Sequence, residues 1–269
     1  MKPSWLYQQD TIWVIVALFV AMIVTGELGA RLGRRWYPRA DDLRRGHFGS
    51  VLGSLLGLLA LLVSFTFAMA ANRYDARRQL VVQEANVLNG LYLQSSLLPE
   101  IPRKDFKQQL SQYVGVRAQA ATLRRDATAE QLTQAVMESD GIFQRMWKVV
   151  QDAALTQPPA HGADAMLKSL VDAASIQRER LLALESRVPD PVIWLLLWGS
   201  LVAMSAIGLA GGLGNHRGLP ARIIVSVLIC GTIEVVLDLD KPHQGLIQVS
   251  QTPILRLQQV LDRDPEAKP

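Results

Sequence analysis

The sequence predicts an all-α membrane protein in which four transmembrane helices, arranged as two hairpins, flank a soluble helical bundle. Two observations predict this fold. Four apolar blocks interrupt a polar chain, and the segment between the second and third blocks carries 15 basic and 14 acidic side chains, the balance of a soluble module. The predicted domains are residues 1–71 for the first hairpin, 72–190 for the bundle, 191–240 for the second hairpin and 241–269 for a C-terminal turn and amphipathic helix.

The first two apolar blocks form the first predicted hairpin. Residues 11–30 carry one charge, Glu27, near their end, and residues 48–71 carry none. A helix of about 20 mostly apolar residues crosses the ~30 Å hydrocarbon layer. Both blocks are therefore predicted to span, and the first is interpreted as a retained span instead of a cleaved signal peptide because its arginines follow it.

The last two blocks form the second predicted hairpin. Residues 192–214 are uncharged, with Trp194 near the start, where aromatic rings favour the headgroup layer. Residues 219–239 are the weakest block because they contain ionisable side chains, namely Arg222, Glu234 and Asp238.

The segment between the hairpins has helical periodicity. Its first helix is predicted to continue the second span without a break as far as Leu98, and three more helices are predicted at about 103–125, 128–150 and 163–187. After the fourth span, Thr252 opens an amphipathic helix that runs through Leu261. The remaining residues, 262–269, are predicted to be a frayed tail.

Charge and composition exclude several function classes. The net charge of +4 is concentrated in residues 31–47, which hold six arginines, and a basic loop beside apolar spans suits anionic lipid headgroups better than nucleic acid. Cys230 is the only cysteine, so neither an intramolecular disulfide nor a cysteine-based metal site is expected. Catalytic motifs are missing from the sequence. We expect no enzyme activity, no cofactor and no metal.

Ionisable residues in the spans are candidates for function because charge at membrane depth is costly. The fourth span carries five polar or thiol side chains at every fourth position: Arg222, Ser226, Cys230, Glu234 and Asp238. Glu234 is the deepest carboxylate, which suits an ion-coordinating, proton-accepting or gating role. Asp238, and Glu27 in the first span, are further candidates. The alternative is that these groups are solvated anchors at the interface.

Small residues recur every four positions in the spans. The ridge formed by Gly49, Gly53 and Gly57 in the second span predicts close helix contact. The contact belongs either to an oligomer or pore, or to ordinary packing within one chain.

A basic cluster marks the exit of the second span: Arg73, Asp75, Arg77 and Arg78. It suits lipid phosphate, or anchors the bundle through ion pairs such as Asp75 with Arg78. Glu84, on the next apolar turns, is either solvated or buried with partners.

Two stretches resemble a known family. Residues 48–93, FGSVLGSLLGLLALLVSFTFAMAANRYDARRQLVVQEANVLNGLYL, and residues 237–254, LDLDKPHQGLIQVSQTPI, resemble the bestrophin-like family of bacterial four-helix membrane proteins of unknown function. The resemblance implies a bacterial cytoplasmic (inner) membrane location. By relation to bestrophins it also implies a homo-oligomer, a pentamer in bestrophins, that conducts anions through a neck lined by the second span.

Carried over by position, the neck falls on Ser64, Phe65, Thr66 and Phe67. The acidic calcium-binding clasp of bestrophins has no counterpart, since Asp238 and Asp240 are too few.

The leading hypothesis is therefore a homo-oligomeric ion channel with lipids and ions as partners. The alternatives are a non-conducting membrane scaffold or sensor whose bundle binds a protein, lipid or small ligand, and a proton-coupled transporter that uses Glu234. The arginine loop predicts that the 72–190 bundle lies outside the cytosol, whereas the bestrophin architecture puts it inside. The sequence does not specify the ion, the stoichiometry, the gate or the physiological partner.

Overall fold

The structure, a computed structural model, describes residues 11–36, 42–123, 129–156, 160, 162–213, 218–241 and 247–268. These residues form helices without strands. The α-helices are α1 Thr11–Trp36, α2 Asp42–Ser95, α3 Glu100–Leu123, α4 Ala129–Leu155, α5 Ala163–Glu185, α6 Asp190–Leu213, α7 Leu219–Asp240 and α8 Thr252–Leu261, followed by a 3₁₀ turn Pro265–Ala267.

The helix boundaries follow the proline positions. Prolines fall within the first turn of α3, α6, α7 and α8, where the absent N–H would have had no intrahelical partner. The 54 residues of α2 contain none, so this helix continues from the apolar block into the polar segment, as predicted. In contrast, α1 runs six residues beyond the predicted end of the first span and carries Arg31, Arg34 and Arg35 in its last turns.

The chain divides into two compact units. The first unit contains α1, α2 as far as Tyr74, α6 and α7, and the second contains α2 from Asp75 onward together with α3, α4, α5 and α8. Three segments are long and apolar enough to cross a membrane. They are Thr11–Trp36, which is α1, Gly46–Ser95 within α2, and Ala163–Leu213, which takes in α5 and α6.

In the first unit, α1 packs directly on α6. A Cβ placed on Gly29 would lie 2.1 Å from the carbonyl oxygen of Ser205, and one on Gly208 would lie 2.0 Å from that of Gly26. The two helices run in the same direction, since Gly26 meets Met204 while Gly33, two turns later, meets Leu213. Only glycine lets the backbones approach this closely.

The fourth helix of this unit, α7, runs antiparallel to α1. Near its start Arg222 reaches Gly26, and two turns later the sulfur of Cys230 lies 3.9 Å from that of Met22. The order of the apolar blocks predicts that α1 pairs with α2 as a hairpin, whereas in the structure α1 lies along α6 and α7. The reason is steric: the glycines that permit backbone contact lie on α1 and α6.

In the second unit, one apolar core joins α3, α4, α5 and α8 to the second half of α2. The buried residues of this core recur at helical spacing, among them Phe106, Leu110, Tyr113, Val114, Ile142, Met146 and Val150. A polar relay crosses this core, in which Tyr113 donates to Gln177 at 3.2 Å and Gln177 donates to Asp140 at 2.9 Å.

The prediction of a frayed tail after Leu261 is wrong. Asp264 caps the 3₁₀ turn, and the Lys107 ammonium of α3 lies 2.8 Å from both Asp264 and Glu266. Tyr92 donates a further hydrogen bond to Asp264 at 2.9 Å, and Ala267 is buried in the core. Residues 262–268 are therefore held by ion pairs and by burial of Ala267, although their polar composition predicts a frayed end.

We expect Gly208→Ala to destabilise the first unit by about 2–3 kcal/mol, the upper part of the range for overpacking, because the added methyl collides with a helix carbonyl that cannot rotate away. Gly231→Ala on α7 is the matched control, since its Cβ would meet nothing within 4 Å. Thermal unfolding of the detergent-solubilised protein measures both. Equal melting temperatures for the two variants would contradict the backbone contact.

We expect Lys107→Gln to release the tail. In the wild type, the pKa values of the two carboxylates determine the pH range in which residues 262–268 stay docked. Burial raises the pKa of Asp264, but hydrogen bonds led by that from Lys107 outweigh this and leave the pKa below its usual value. A hydrogen bond from Lys107 is also the main cause that lowers the pKa of Glu266. A lowered carboxylate pKa stabilises the docked tail above the ordinary value of about 4, and that stabilisation disappears as the pH falls through the folded pKa.

Hydrogen exchange of residues 262–268 measures the release. The variant should lose protection worth about 2 kcal/mol at neutral pH, the usual contribution of a hydrogen bond to a charged group. The wild type should lose it only in acid. Lys104→Gln, which removes a half-exposed lysine from the same helix, is the control and should leave the tail protected.

Candidate functional site

An exposed stripe of mostly small and polar side chains, interrupted by Leu61 and Phe65, runs along α2 in the first unit. Its members recur every three or four residues, which places them on one face of the helix. They are Ser50, Ser54, Gly57, Leu61, Ser64, Phe65, Ala68 and Asn72. The opposite face, with Leu59, Thr66 and Ala70, is buried within the unit.

Large apolar side chains are exposed on every helix of this unit, including Val51 and Leu58 on α2, but only α2 adds exposed serines among the described residues. Exposed positions in the apolar parts of α1, α6 and α7 carry large hydrophobic residues, which suits contact with lipid tails. They include Val16, Val20, Val24 and Leu28 on α1, Trp194, Leu195, Trp198 and Val202 on α6, and Ile223, Ile224, Val227 and Leu228 on α7. The three exposed hydroxyls of the stripe therefore distinguish α2 from its neighbours.

The four predicted neck residues do not share one face. Phe65, with 65% of its surface exposed, and Ser64 lie on the stripe, and Phe67 lies at its flank. Thr66 is buried, and its hydroxyl donates to the carbonyl of Leu62 at 2.8 Å. Within the chain, Ser64, Phe65 and Phe67 thus remain available to an outer surface.

The glycine ridge of α2 has no close neighbour in the part of the chain that the structure describes. A Cβ on Gly49, Gly53 or Gly57 would meet nothing within 4 Å. The close helix contacts of the first unit use Gly26, Gly29, Gly33, Gly208 and Gly212 instead. The ridge lies free for contact with another molecule, and its role in helix packing stays a prediction.

Beyond Tyr74, in the second unit, α2 continues to expose polar residues at helical spacing: Asp75, Gln79, Gln83 and Asn86. On its opposite face Glu84 is buried and receives two hydrogen bonds from Arg117, at 3.0 and 3.3 Å, together with one from Arg180. Burial lowers the pKa of Arg180 to about 10. Glu84 is thus buried with partners, and it fixes the helix so that the amides face outward.

The basic cluster at the end of the second apolar block has two members with structural partners. Arg77 is buried and donates to the carbonyls of Ala183 and Ser186, at 3.0 and 2.7 Å. Asp75 and Arg78 are exposed, and they form no ion pair with each other. Arg73 belongs to the first unit and makes the second contact.

That second contact is to Asp240, which the sequence analysis did not select as a site. Asp240 is fully buried at the end of α7, and both its oxygens accept the N–H of Val188 at 3.0 Å. A guanidinium nitrogen of Arg73 lies 3.9 Å away. One carboxylate therefore joins three parts of the first unit: the end of the membrane part of α2, the segment before α6, and α7.

The three ionisable candidates in the spans have separate environments. Glu234 is half-buried on α7, and the structure gives it no ion pair or hydrogen bond among the described residues. Asp238 accepts the N–H of Ile247 at 2.7 Å. Glu27 faces three arginines of the first unit: Arg31, Arg34 and Arg222. The structure does not bring the three carboxylates together, and their functional roles stay predictions.

A metal centre finds no support in the described part of the chain, where no group of three or more His, Cys, Asp or Glu side chains is placed to hold an ion. The exposed face of α2, with Phe65 at its centre, is therefore the candidate site.

Comparison with known proteins identifies relatives of this fold. The Bestrophin-like domain matches residues 12–254. Crystal structures of two single-residue variants of a bacterial bestrophin homologue from Klebsiella pneumoniae are similar, at 14% and 13% identity with TM-scores of 0.69 and 0.70, over 92% and 95% of this chain and 97% and 96% of theirs. A further membrane protein structure matches at 15% identity and a TM-score of 0.68, over 92% of this chain and 97% of its own. A search of curated proteins gave no match.

We expect Asp240→Ala to destabilise the first unit by about 3 kcal/mol, because it removes the buried carboxylate that accepts the N–H of Val188 and lies beside Arg73. Asp172→Ala on α5, where the side chain is exposed, is the control and should change stability by less than about 0.5 kcal/mol. Chemical denaturation in detergent compares the two. A loss no larger than that of the control would show that the carboxylate is not structural.

Proposed function

The chain belongs to the Bestrophin-like family, and from this premise we propose that it is a homo-oligomeric ion channel of a bacterial cytoplasmic membrane, with α2 of each copy lining the pore. The family likeness favours a pentamer. Four spans, α1, the first half of α2, α6 and α7, would surround the axis in each copy.

The observation that carries this proposal is the difference between the exposed faces. On α1, α6 and α7 these faces carry mostly large apolar side chains, whereas α2 exposes Ser50, Ser54, Gly57 and Ser64 along one stripe, with large apolar residues such as Val51 and Leu58 beside it. Serine hydroxyls and glycine backbone find no hydrogen-bond partners among lipid tails. In a pore they would offer polar atoms to water and ions. Repetition of α2 around an axis would turn this stripe into a pore lining.

Phe65 is the proposed constriction. It is the largest side chain on the stripe, and a ring of its copies would form a short apolar neck that gates by wetting and dewetting. We propose anions as the permeant ions, because the edge of an aromatic ring is its electropositive part and would point at the axis. The hydroxyl of Ser64 on the adjoining position donates to the carbonyl of Ala60 at 2.8 Å, and it would have to turn toward the axis to donate to an anion.

A non-conducting scaffold is the second candidate. In the second unit, several large apolar side chains are exposed, including Ile101, Met137, Leu155 and Val171, which suits contact with another protein. A scaffold does not require the polar face of α2, so the channel accounts for more of the structure. The two candidates differ in whether the membrane part is sealed.

We expect Phe65→Ala to raise ion conductance several-fold in planar bilayers, because a wider and less apolar neck stays wet. Phe67→Ala, at the flank of the stripe, should have a smaller effect in the same direction. Trp194→Ala is the matched control, since it truncates an exposed aromatic residue on α6 that would face lipid, and it should conduct like the wild type.

Reversal potentials in salt gradients measure the selectivity. Absence of ion flux from a purified, oligomeric protein would refute the channel and favour the scaffold, as would equal effects of the Phe65 and Trp194 variants.

A further inference from the structure

We propose that the C-terminal end of α1 binds the phosphate of an anionic phospholipid. The site is the arginine face formed by Arg31, Arg34 and Arg35, next to Glu27 and the buried Arg222. It is separate from the α2 face and does not depend on conduction.

The ion pairs of this region leave positive charge in excess. One Glu27 oxygen lies 3.1 Å from Arg34 and 3.4 Å from Arg31, and the other lies 3.2 Å from Arg222. A single carboxylate thus faces three guanidinium groups. Local charge remains at +2 before Arg35 is counted.

The arginines differ in how they are used. Arg222 is only 7% exposed, and it donates to the Gly26 carbonyl at 2.7 Å as well as to Glu27, so its role is to hold α7 against α1. The side chains of Arg31 and Arg34 are 68% and 41% exposed. Each guanidinium has five N–H donors, and Glu27 accepts one bond from each of these two residues. Each guanidinium therefore keeps four N–H donors on a side chain that is at least 41% exposed, and a guanidinium presents its donors in the forked arrangement that matches a phosphate.

The surface below the arginines suits an acyl chain. Val20, Val24 and Leu28 are exposed at helical spacing and lead along α1 to Arg31 and Arg35. Arg31 follows Thr11 by 20 residues, which corresponds to about 30 Å of helix, the thickness of the hydrocarbon layer. The guanidinium groups therefore reach the level of the headgroups at the point where the apolar stripe ends.

Along α1 an apolar surface is followed by arginines, and in a phospholipid an acyl chain is followed by a phosphate. The two orders match. A free phosphate ion would use the fork but not the stripe. A zwitterionic lipid would use the stripe but would bring its own cation to the fork, where the charge is already positive. An anionic phospholipid uses both parts.

Binding of lipid to the full chain purified in detergent tests the proposal. The protein is titrated separately with phosphatidylglycerol, phosphatidylcholine and inorganic phosphate, and bound molecules are counted by native mass spectrometry. We expect saturable binding of phosphatidylglycerol and a loss of affinity of about thirty-fold in Arg31→Gln/Arg34→Gln, from the usual contribution of two arginines near an anionic surface. The control Arg178→Gln/Arg263→Gln removes two exposed arginines of the second unit and should bind like the wild type.

A second variant tests whether negative charge beside the arginines weakens lipid binding. Glu27→Gln removes the competing carboxylate and should strengthen phosphatidylglycerol binding. Should the double glutamine variant fail to fold, Arg31→Lys/Arg34→Lys keeps the charge but loses the fork, and it should bind more weakly than the wild type. The proposal is overturned if the two lipids bind equally, if the arginine variants bind like the wild type, if Glu27→Gln weakens binding, or if inorganic phosphate binds as tightly as the lipid, which would make this a site for free anions.

Discussion

Direct contact between the backbones of α1 and α6 is the constraint on which the first unit depends. Lipid supplies no hydrophobic force that drives helices together, so association rests on close packing and hydrogen bonds. Gly29 and Gly208 provide the first, since each leaves room for a carbonyl where a side chain would otherwise stand. Arg222 supplies the second by bonding the Gly26 carbonyl. With α1 occupied in this way, α2 packs through Leu59 on Gly199 of α6 and keeps its other face exposed.

Buried charges then fix the direction of that exposed face. In the first unit Asp240 holds Arg73 and the N–H of Val188, and in the second unit Glu84 holds two arginines. Such pairs contribute little net stability, but breaking one is costly, so they select one rotation of the helix over others. In the first unit the stripe of α2 consequently faces outward, and in the second unit the polar residues from Asp75 to Asn86 do so separately.

How much of this the sequence predicts depends on whether a residue acts locally. The continuous α2 and the helix that opens at Thr252 follow from apolar periodicity and proline position, and the structure confirms both. Glycine spacing predicts that a helix can pack closely, but it does not identify the partner helix. The sequence therefore does not distinguish Gly49, which has no close neighbour among the described residues, from Gly29, which contacts α6. Asp240 was passed over because its burial depends on Val188, 52 residues earlier in the chain. The docked tail was missed for the same reason, since Lys107 lies more than 150 residues before its partners.

Parallel packing of α1 on α6 has a consequence for biosynthesis. A nascent chain emerges from its N-terminus, so α1 is made well before its glycine-bearing partner α6, which begins 161 residues after Gly29. Until then the glycine face of α1 meets only lipid, insertion machinery or another nascent copy. The contact between α1 and α6 can therefore form only after α6 has been synthesised. A chain truncated before residue 190 would lack the helix that packs on the glycine face of α1.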